Sequence, residues 1–266
     1  MHMQSRGQPD TITAHFQYLN QTEAGLAVLI VDEVKIGRGL STLQVTLYQG
    51  AIQPTAPWVS PSSRKAILGL VTNTRISLER GISLATGWTL RSPPSPMDPE
   101  KLLRGDDEHW ELRTKRFTKD DYVRALENMD LFVPRQKPTG GVLNLWCRLV
   151  CGENFTNVSL AYLADAFPYV VESWRPGPGD KQTPFPHDQV FWYPTITLNL
   201  DVKKDLSEAE VEWLFVRNTA KSIQNGRLDL DVVILTREGE LVATSRHVCL
   251  ILGAERNLGG QKKPKM

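Results

Sequence analysis

Apolar and polar positions alternate with period two in four stretches between residues 11 and 77: ITAHFQYL, GLAVLIVDEVKI, LSTLQVTLYQ and KAILGLVTNTRIS. Rich in Val, Ile, Leu and Thr, they predict four antiparallel β-strands, each with one face turned to a core. Gly37-Arg38-Gly39 between the second and third marks a hairpin, and residues 53–63, with Pro54, Pro57 and Pro61, mark a loop. The alternation stops at Ser92-Pro-Pro-Ser-Pro96 and DPEKLLRGDDEHW, which are too polar and broken for core strands and predict a linker. Inside it, Thr118 followed by Asp121 has the form of a capping box, and Tyr122, Leu126 and Met129 fall on one face of a short helix over 118–131 that Pro134 ends.

A second patterned region follows. GVLNLWCRLV (141–150) is apolar enough for a buried strand, and NVSLAYLADAFPYVV (157–171) carries Leu160, Leu163, Ala164 and Phe167 at helical spacing, with capping residues over 154–157 and Pro168 to kink its last turn. Past a Pro/Gly-rich loop, FWYPTITLNLDVKK, VEWLFVRNTAKSI, RLDLDVVILT and ELVATSRHVCLIL return to strand patterns, with Asn225-Gly226 and Glu238-Gly239 as tight turns. The two regions echo each other: TITAHF (11–16) matches TITLNL (195–200), Gly37-Arg38 matches Gly226-Arg227, and VTNTRIS (71–77) matches VATSRHV (242–248). A separation of that size is a domain duplication, not a short-period repeat.

Composition narrows the classes. Lys+Arg 31 against Asp+Glu 30 leaves a net charge of +1, which argues against a nucleic-acid partner, and no apolar run is long enough to cross a membrane. The polar first residues, MHMQSRGQPD, lack a secretory h-region, and three cysteines make no disulfide framework, so a reducing, cytoplasmic setting is expected. The five histidines have no i, i+4 pairing, so no metal site is predicted; without a P-loop, G-x-G-x-x-G or G-x-S-x-G pattern, no cofactor and no α/β-hydrolase elbow are expected either.

TAHFQYLNQTEAGLAVLIVDEVKIGRGLSTLQVTLYQ resembles the first half, and YPTITLNL, EWLFVRNTAKSIQNGRLDLDVVIL and GELVATSRHVCLIL the second half, of the thioesterase-like superfamily related to acyl-CoA thioesterase II. That resemblance implies an α+β double hotdog, two antiparallel curved sheets around a central helix. Residues 11–90 would form a first hotdog unit lacking its N-terminal strand and helix, 91–138 a linker with short helices, and 139–253 the second unit. It also implies a hydrophobic acyl or polyketide-type substrate, carried as a CoA or carrier-protein thioester, and a homodimer that would cover the bare first sheet. The family's Asp, Ser/Thr and Gln set falls on Thr195, Thr219 and His247, so only the threonine is kept and His247 is the expected water-activating base. Asn157, Val158 and Ser159, opening the helix, would hold the thioester carbonyl. Asp165, in the apolar LADAF, is either an acid/base or a buried structural carboxylate, and Trp192-Tyr193 would floor a ligand.

Loss of the family's carboxylate leaves three functions open: an acyl-thioester hydrolase, a non-hydrolytic dehydratase, isomerase or cyclase of secondary metabolism, or a binding protein. Release of free thiol separates the first from the others.

Overall fold

The protein, seen in a computed structural model, is described over residues 2–113, 124–136, 138–175, 184–186, 188–207 and 210–253. Four strands occupy the first patterned region: β1 (Asp10–Tyr18), β2 (Val28–Lys35), β3 (Ser41–Gln49) and β4 (Arg64–Thr74). Between the two regions lie β5 (Trp110–Leu112) and β6 (Met129–Pro134). The second region supplies β7 (Val142–Leu149), β8 (Phe191–Trp192), β9 (Thr195–Val202), β10 (Leu214–Thr219), β11 (Ile223–Gln224), β12 (Arg227–Leu235), β13 (Leu241–Leu250) and β14 (Leu252–Gly253). The helices are α1 (His2–Ser5), α2 (Pro99–Arg104) and α3 (Ser159–Asp165).

Twelve of these strands join into one antiparallel sheet in the order β2-β3-β4-β1-β9-β13-β12-β10-β7-β6-β5, with β11 paired to β12, and β8 and β14 pair separately with each other. The repeated segments sit back to back in it. β1 and β9, which carry TITAHF and TITLNL, pair with each other at the centre from Thr13↔Asp201 to Gln17↔Thr197. Outward from that joint β4, β3 and β2 mirror β13, β12 and β10. The hairpins come from local chemistry: Asn225 and Gly226 both take positive φ (52° and 73°), as the primed turn between β11 and β12 requires.

One face of the second half, here the inner face, packs against α3. Leu198 and Leu200 of β9, Leu230 and Val232 of β12, and Leu214 and Val216 of β10 meet Leu160, Leu163 and Phe167 there in one buried cluster. The expected single helix over 157–171 is two pieces. α3 stops at Asp165, and a 3-10 helix over Tyr169–Trp174 follows Pro168, whose ring cannot continue an α-helix hydrogen-bond ladder. The buried Asn218 amide donates to the Phe167 carbonyl (2.5 Å), meeting a backbone acceptor in the break between the two helices.

The segment 91–138 differs from expectation. It carries two strands that extend the sheet beyond β7, and its apolar residues form a second core on the outer face: Leu102, Trp110 and Phe132 pack on Trp146, Trp213, Phe215 and Leu235. Trp110 stands edge-on to both Trp146 (6.4 Å) and Phe215 (6.3 Å). Few apolar residues are needed, because each aromatic buries a large area. The helix expected over 118–131 falls partly on residues 114–123, outside the described residues. Of the remainder, Arg124–Asn128 form a 3-10 turn and Met129 opens β6.

The first half has no counterpart of α3 or β7 among the described residues. At one end of its inner face the α1 turn buries Met3, and Gln8 donates to the carbonyls of Gly37 (3.0 Å) and Arg38 (3.2 Å). Towards the edge, Leu29 and Val31 of β2 remain exposed.

Close packing at the central joint gives a stability test. A Cβ on Gly69 would lie 2.5 Å from the Phe16 ring, and Phe16 packs against the main core. Gly69→Val is expected to lower unfolding free energy by about 1–3 kcal/mol, read as a drop in the urea midpoint.

Candidate active site

β1, β9, β13 and the end of α3 converge on a cluster of polar side chains on the inner face. Asp165, the last residue of α3, accepts from Thr195 (Oγ1 to Oδ1, 3.0 Å) and, at longer range, from Tyr18 (phenol to Oδ2, 3.4 Å). His247 of β13 presents Nδ1 at 3.7 Å from Asp165 Oδ1, and its Nε2 lies 2.8 Å from Ser245 Oγ. Ser245 in turn donates to the Asn199 carbonyl (2.6 Å), and the Cys249 thiol donates to Thr195 Oγ1 (3.8 Å).

Strand parity explains these placements. His247 stands opposite Leu198 and Leu230, both core residues, so it and its i±2 neighbours Ser245 and Cys249 face inward. Ala14, Phe16 and Tyr18 of β1 face the same way. Thr195 would face outward on a regular β9, because Leu198 faces inward. The register between β13 and β9 shifts between Val248 and Cys249, setting Thr195 opposite Cys249 and turning its hydroxyl to Asp165.

Burial sets the electrostatics. Desolvation raises the Asp165 carboxyl from its ordinary value to about 6, against the pull of the hydrogen bonds from Thr195 and Tyr18. Desolvation also lowers His247 to about 4, so its imidazole is neutral at neutral pH. The His247 side chain has no exposure at all, whereas that of Asp165 is 35% exposed. Burial, with Asp165 alongside, holds the Tyr18 phenol well above its usual range, and burial pushes the Cys249 thiol up to about 12; both are neutral donors.

The structure brings together three of the four expected catalytic residues: Asp165, Thr195 and His247. Thr219 is not with them. Opposite Asp231 on β12 and Val142 on β7, it lies on the outer face, where Asp231 pairs with Arg246 (3.3 Å). Its neighbour Asn218 takes the inward position, since a residue one step along a strand points to the other face.

The start of α3 is also elsewhere. Ser159 is about 9 Å along the helix axis from Asp165 at the usual rise per residue, and Val158 is 85% exposed. The Asn157 amide is committed to structure: it donates to Asp10 (3.0 Å) and Asp205 (2.8 Å) and accepts from the Leu206 N–H (2.9 Å). Ser159 bonds to the backbone and side chain of Thr156. Trp192 is half-buried in β8, paired with Leu252 of β14. Tyr193 is buried, its phenol donating to Glu172 (2.6 Å) and its ring edge-on to Tyr169 (5.6 Å).

Sequence reasoning missed Tyr18, Ser245 and Cys249. Counting by twos from His247 would have found the last two. Tyr18 needed the joint between the halves.

The comparisons with known proteins agree with this architecture. A family model described as acyl-CoA thioesterase C-terminal domain matches residues 96–251, and one described as acyl-CoA thioesterase N-terminal domain matches residues 1–61. The chain belongs to the acyl-CoA thioesterase family. It is 37% identical over 282 residues to the thioesterase-like protein TwmA of Talaromyces wortmannii, covering 97% of this chain and 81% of that protein. Its fold is similar to a hot dog fold protein of Alicyclobacillus acidocaldarius (TM-score 0.65, 14% identity, 94% of this chain and 83% of the other). It is likewise similar to the acyl-CoA thioesterase II TesB2 of Mycobacterium marinum (TM-score 0.58, 17% identity, 92% and 81%). The fold is thus an α+β double hotdog with a central helix.

The opposed shifts make a stability prediction. Asp165, raised from 3.8 to about 6, contributes stability below pH 3.8 that is lost as pH rises through 6. His247, lowered from 6.5 to about 4, contributes stability above pH 6.5 that is lost as pH falls through 4. Between pH 4 and 6 the two trends offset. In Asp165→Asn, urea unfolding should show stability rising with pH across that window; in His247→Gln it should fall.

Proposed function

We propose that the chain is an acyl-thioester hydrolase-like enzyme in which Asp165, rather than His247, is the general base. The supporting observation is a partly exposed carboxylate with a pKa near 6, bonded to Thr195 and facing a histidine that is itself closed to solvent. A base poised near the working pH combines ionisation with proton affinity. Asp165 takes a proton from water as the water oxygen bonds to the thioester carbonyl carbon. The C–S bond then breaks, and the same proton passes to the leaving sulfur as free thiol.

Tyr18 serves as the donor to the developing oxyanion. Its bond to Asp165 is long for O–H···O, so the phenol can turn to a substrate oxygen while staying protonated. Tyr169 on Tyr193 and Phe185 on Phe191 pack edge to face, with Phe191 tilted against Tyr193, and this aromatic cluster against the main core suits a hydrophobic acyl or polyketide-type chain. The substrate's thiol half is then a CoA or a carrier protein.

The same acid and neutral imidazole favour a second reading, a dehydratase, isomerase or cyclase that moves a proton on the substrate itself. A free-thiol assay on hydrophobic acyl-CoA substrates decides: turnover with thiol release carries the hydrolase reading, and product without thiol carries the second. For the hydrolase, Asp165→Asn should lower kcat by roughly 10²–10⁴-fold. Wild-type kcat/KM should rise through about pH 6 as the carboxyl ionises. A flat profile there rules out Asp165 as the base.

Self-association is part of the same proposal. Leu26, Leu29, Val31 and Val34 stand exposed along the β2 side of the first half, an apolar run that a second copy would cover. Sedimentation velocity at micromolar concentration should give a dimer, and a 29.9 kDa species alone would sink the idea.

A further inference from the structure

The hydrogens in the chain Asn199–Ser245–His247–Asp165 can be counted. Ser245 Oγ lies 2.6 Å from the Asn199 carbonyl oxygen and 2.8 Å from His247 Nε2. A carbonyl only accepts, so the single hydroxyl hydrogen of Ser245 goes to Asn199. The contact with His247 then requires the hydrogen on Nε2. In a neutral imidazole the other nitrogen carries none, and Nδ1 is buried with no hydrogen-bond partner among the described residues, 3.7 Å from Asp165 Oδ1.

We propose that Ser245 is a positioning residue for this site: by accepting from His247 Nε2–H while donating to Asn199, it holds the neutral ring with its Nδ1 lone pair facing Asp165. The inference rests on the reading of Asp165 as the base and deepens it. A histidine that donated N–H to the carboxylate would stabilise the anion and weaken it as a base. Here two acceptors face each other instead. The pair is at ease only when it holds one further proton between them, so the proton affinity of Asp165 is kept high.

The remaining groups around the pair add no charge to it. Tyr18 from β1, Tyr169 from the 3-10 turn and Cys249 from β13 are each raised by burial and neutral around pH 7. Thr195 from β9 donates to Asp165, and Ser245 itself carries no charge. Removing the Ser245 hydroxyl frees the ring to place its hydrogen on Nδ1 and donate to the carboxylate.

Two measurements test this. Nitrogen-15 NMR of histidine-labelled wild-type protein at pH 7 should show His247 with Nε2 protonated and Nδ1 bare; a protonated Nδ1 overturns the proposal. In Ser245→Ala, a carbon-13 NMR titration should show the proton affinity of Asp165 lowered roughly three- to tenfold, with the low-pH limb of kcat/KM moving down by the same factor. Ser245→Thr, which keeps the hydroxyl, should restore both. An Asp165 titration unchanged or raised in Ser245→Ala overturns the proposal. Should that variant fail to fold, the wild-type tautomer still decides. A wild type with bare Nδ1 but no thiol release supports the tautomer while sinking the hydrolase reading, so the two fail separately.

Discussion

The antiparallel pairing of β1 with β9 is the constraint on which the site depends. It closes two four-strand patterns into one sheet and, by setting Phe16 opposite Leu198, puts Ala14, Phe16 and Tyr18 on the face that carries α3. A slip of one residue would send Tyr18 to the outer face and replace its phenol with Gln17 or Leu19. Register thus delivers the Tyr18 phenol of the first half to Asp165 of the second. A second tie across the halves runs through Asp10, which accepts from Asn157 in the second half and from the Ile76 N–H (3.0 Å) in the first.

Asp165 is held between opposing effects. Desolvation at the sheet joint favours the neutral acid, whereas the hydroxyls of Thr195 and Tyr18 favour the anion, and the balance leaves the carboxyl near neutrality. His247 has the more ordinary base chemistry but the wrong surroundings. Closed to solvent, its Nε2 lies against Ser245 and its Nδ1 faces the carboxylate. The two side chains differ more in accessibility than in kind: Asp165 is partly open and His247 is closed.

The halves are unequal because their surroundings differ. Beyond β10 the sheet continues through β7, β6 and β5, and aromatic residues of 102–132 cover its outer face. The corresponding strand of the first half, β2, is an edge whose apolar residues stay largely exposed. The second half thus has two cores and a rigid frame for Asp165, Thr195 and His247. Among the described residues the first half presents a sheet with one inner face only partly filled.

Much of the fold was legible in the sequence, because alternation, turn residues and duplication are local signals that survive without coordinates. Period two marked β1 to β4 and β9 to β13, Asn225-Gly226 marked its turn, and TITAHF against TITLNL marked the pair that meets at the joint. Asp165 stood out as a carboxylate in an apolar segment, and His247 through the family resemblance. Other features were decided by tertiary structure. The bulge that turns Thr195 inward is a property of two strands in register. Thr219 and Asn218 exchange roles because parity is counted from a partner strand, not from a motif. β5 looks like linker because it is a three-residue strand in a polar stretch, and the start of β6 carries an apolar spacing that also fits a helix; Trp110 and Phe132 are buried by Trp146, Trp213 and Phe215, and Met129 and Leu131 by the main core, all from elsewhere in the chain. Sequence periodicity shows that a residue faces a core; which distant side chains share that core depends on contacts far apart in the chain, and those contacts set the pKa, tautomer and reach of every group in this site.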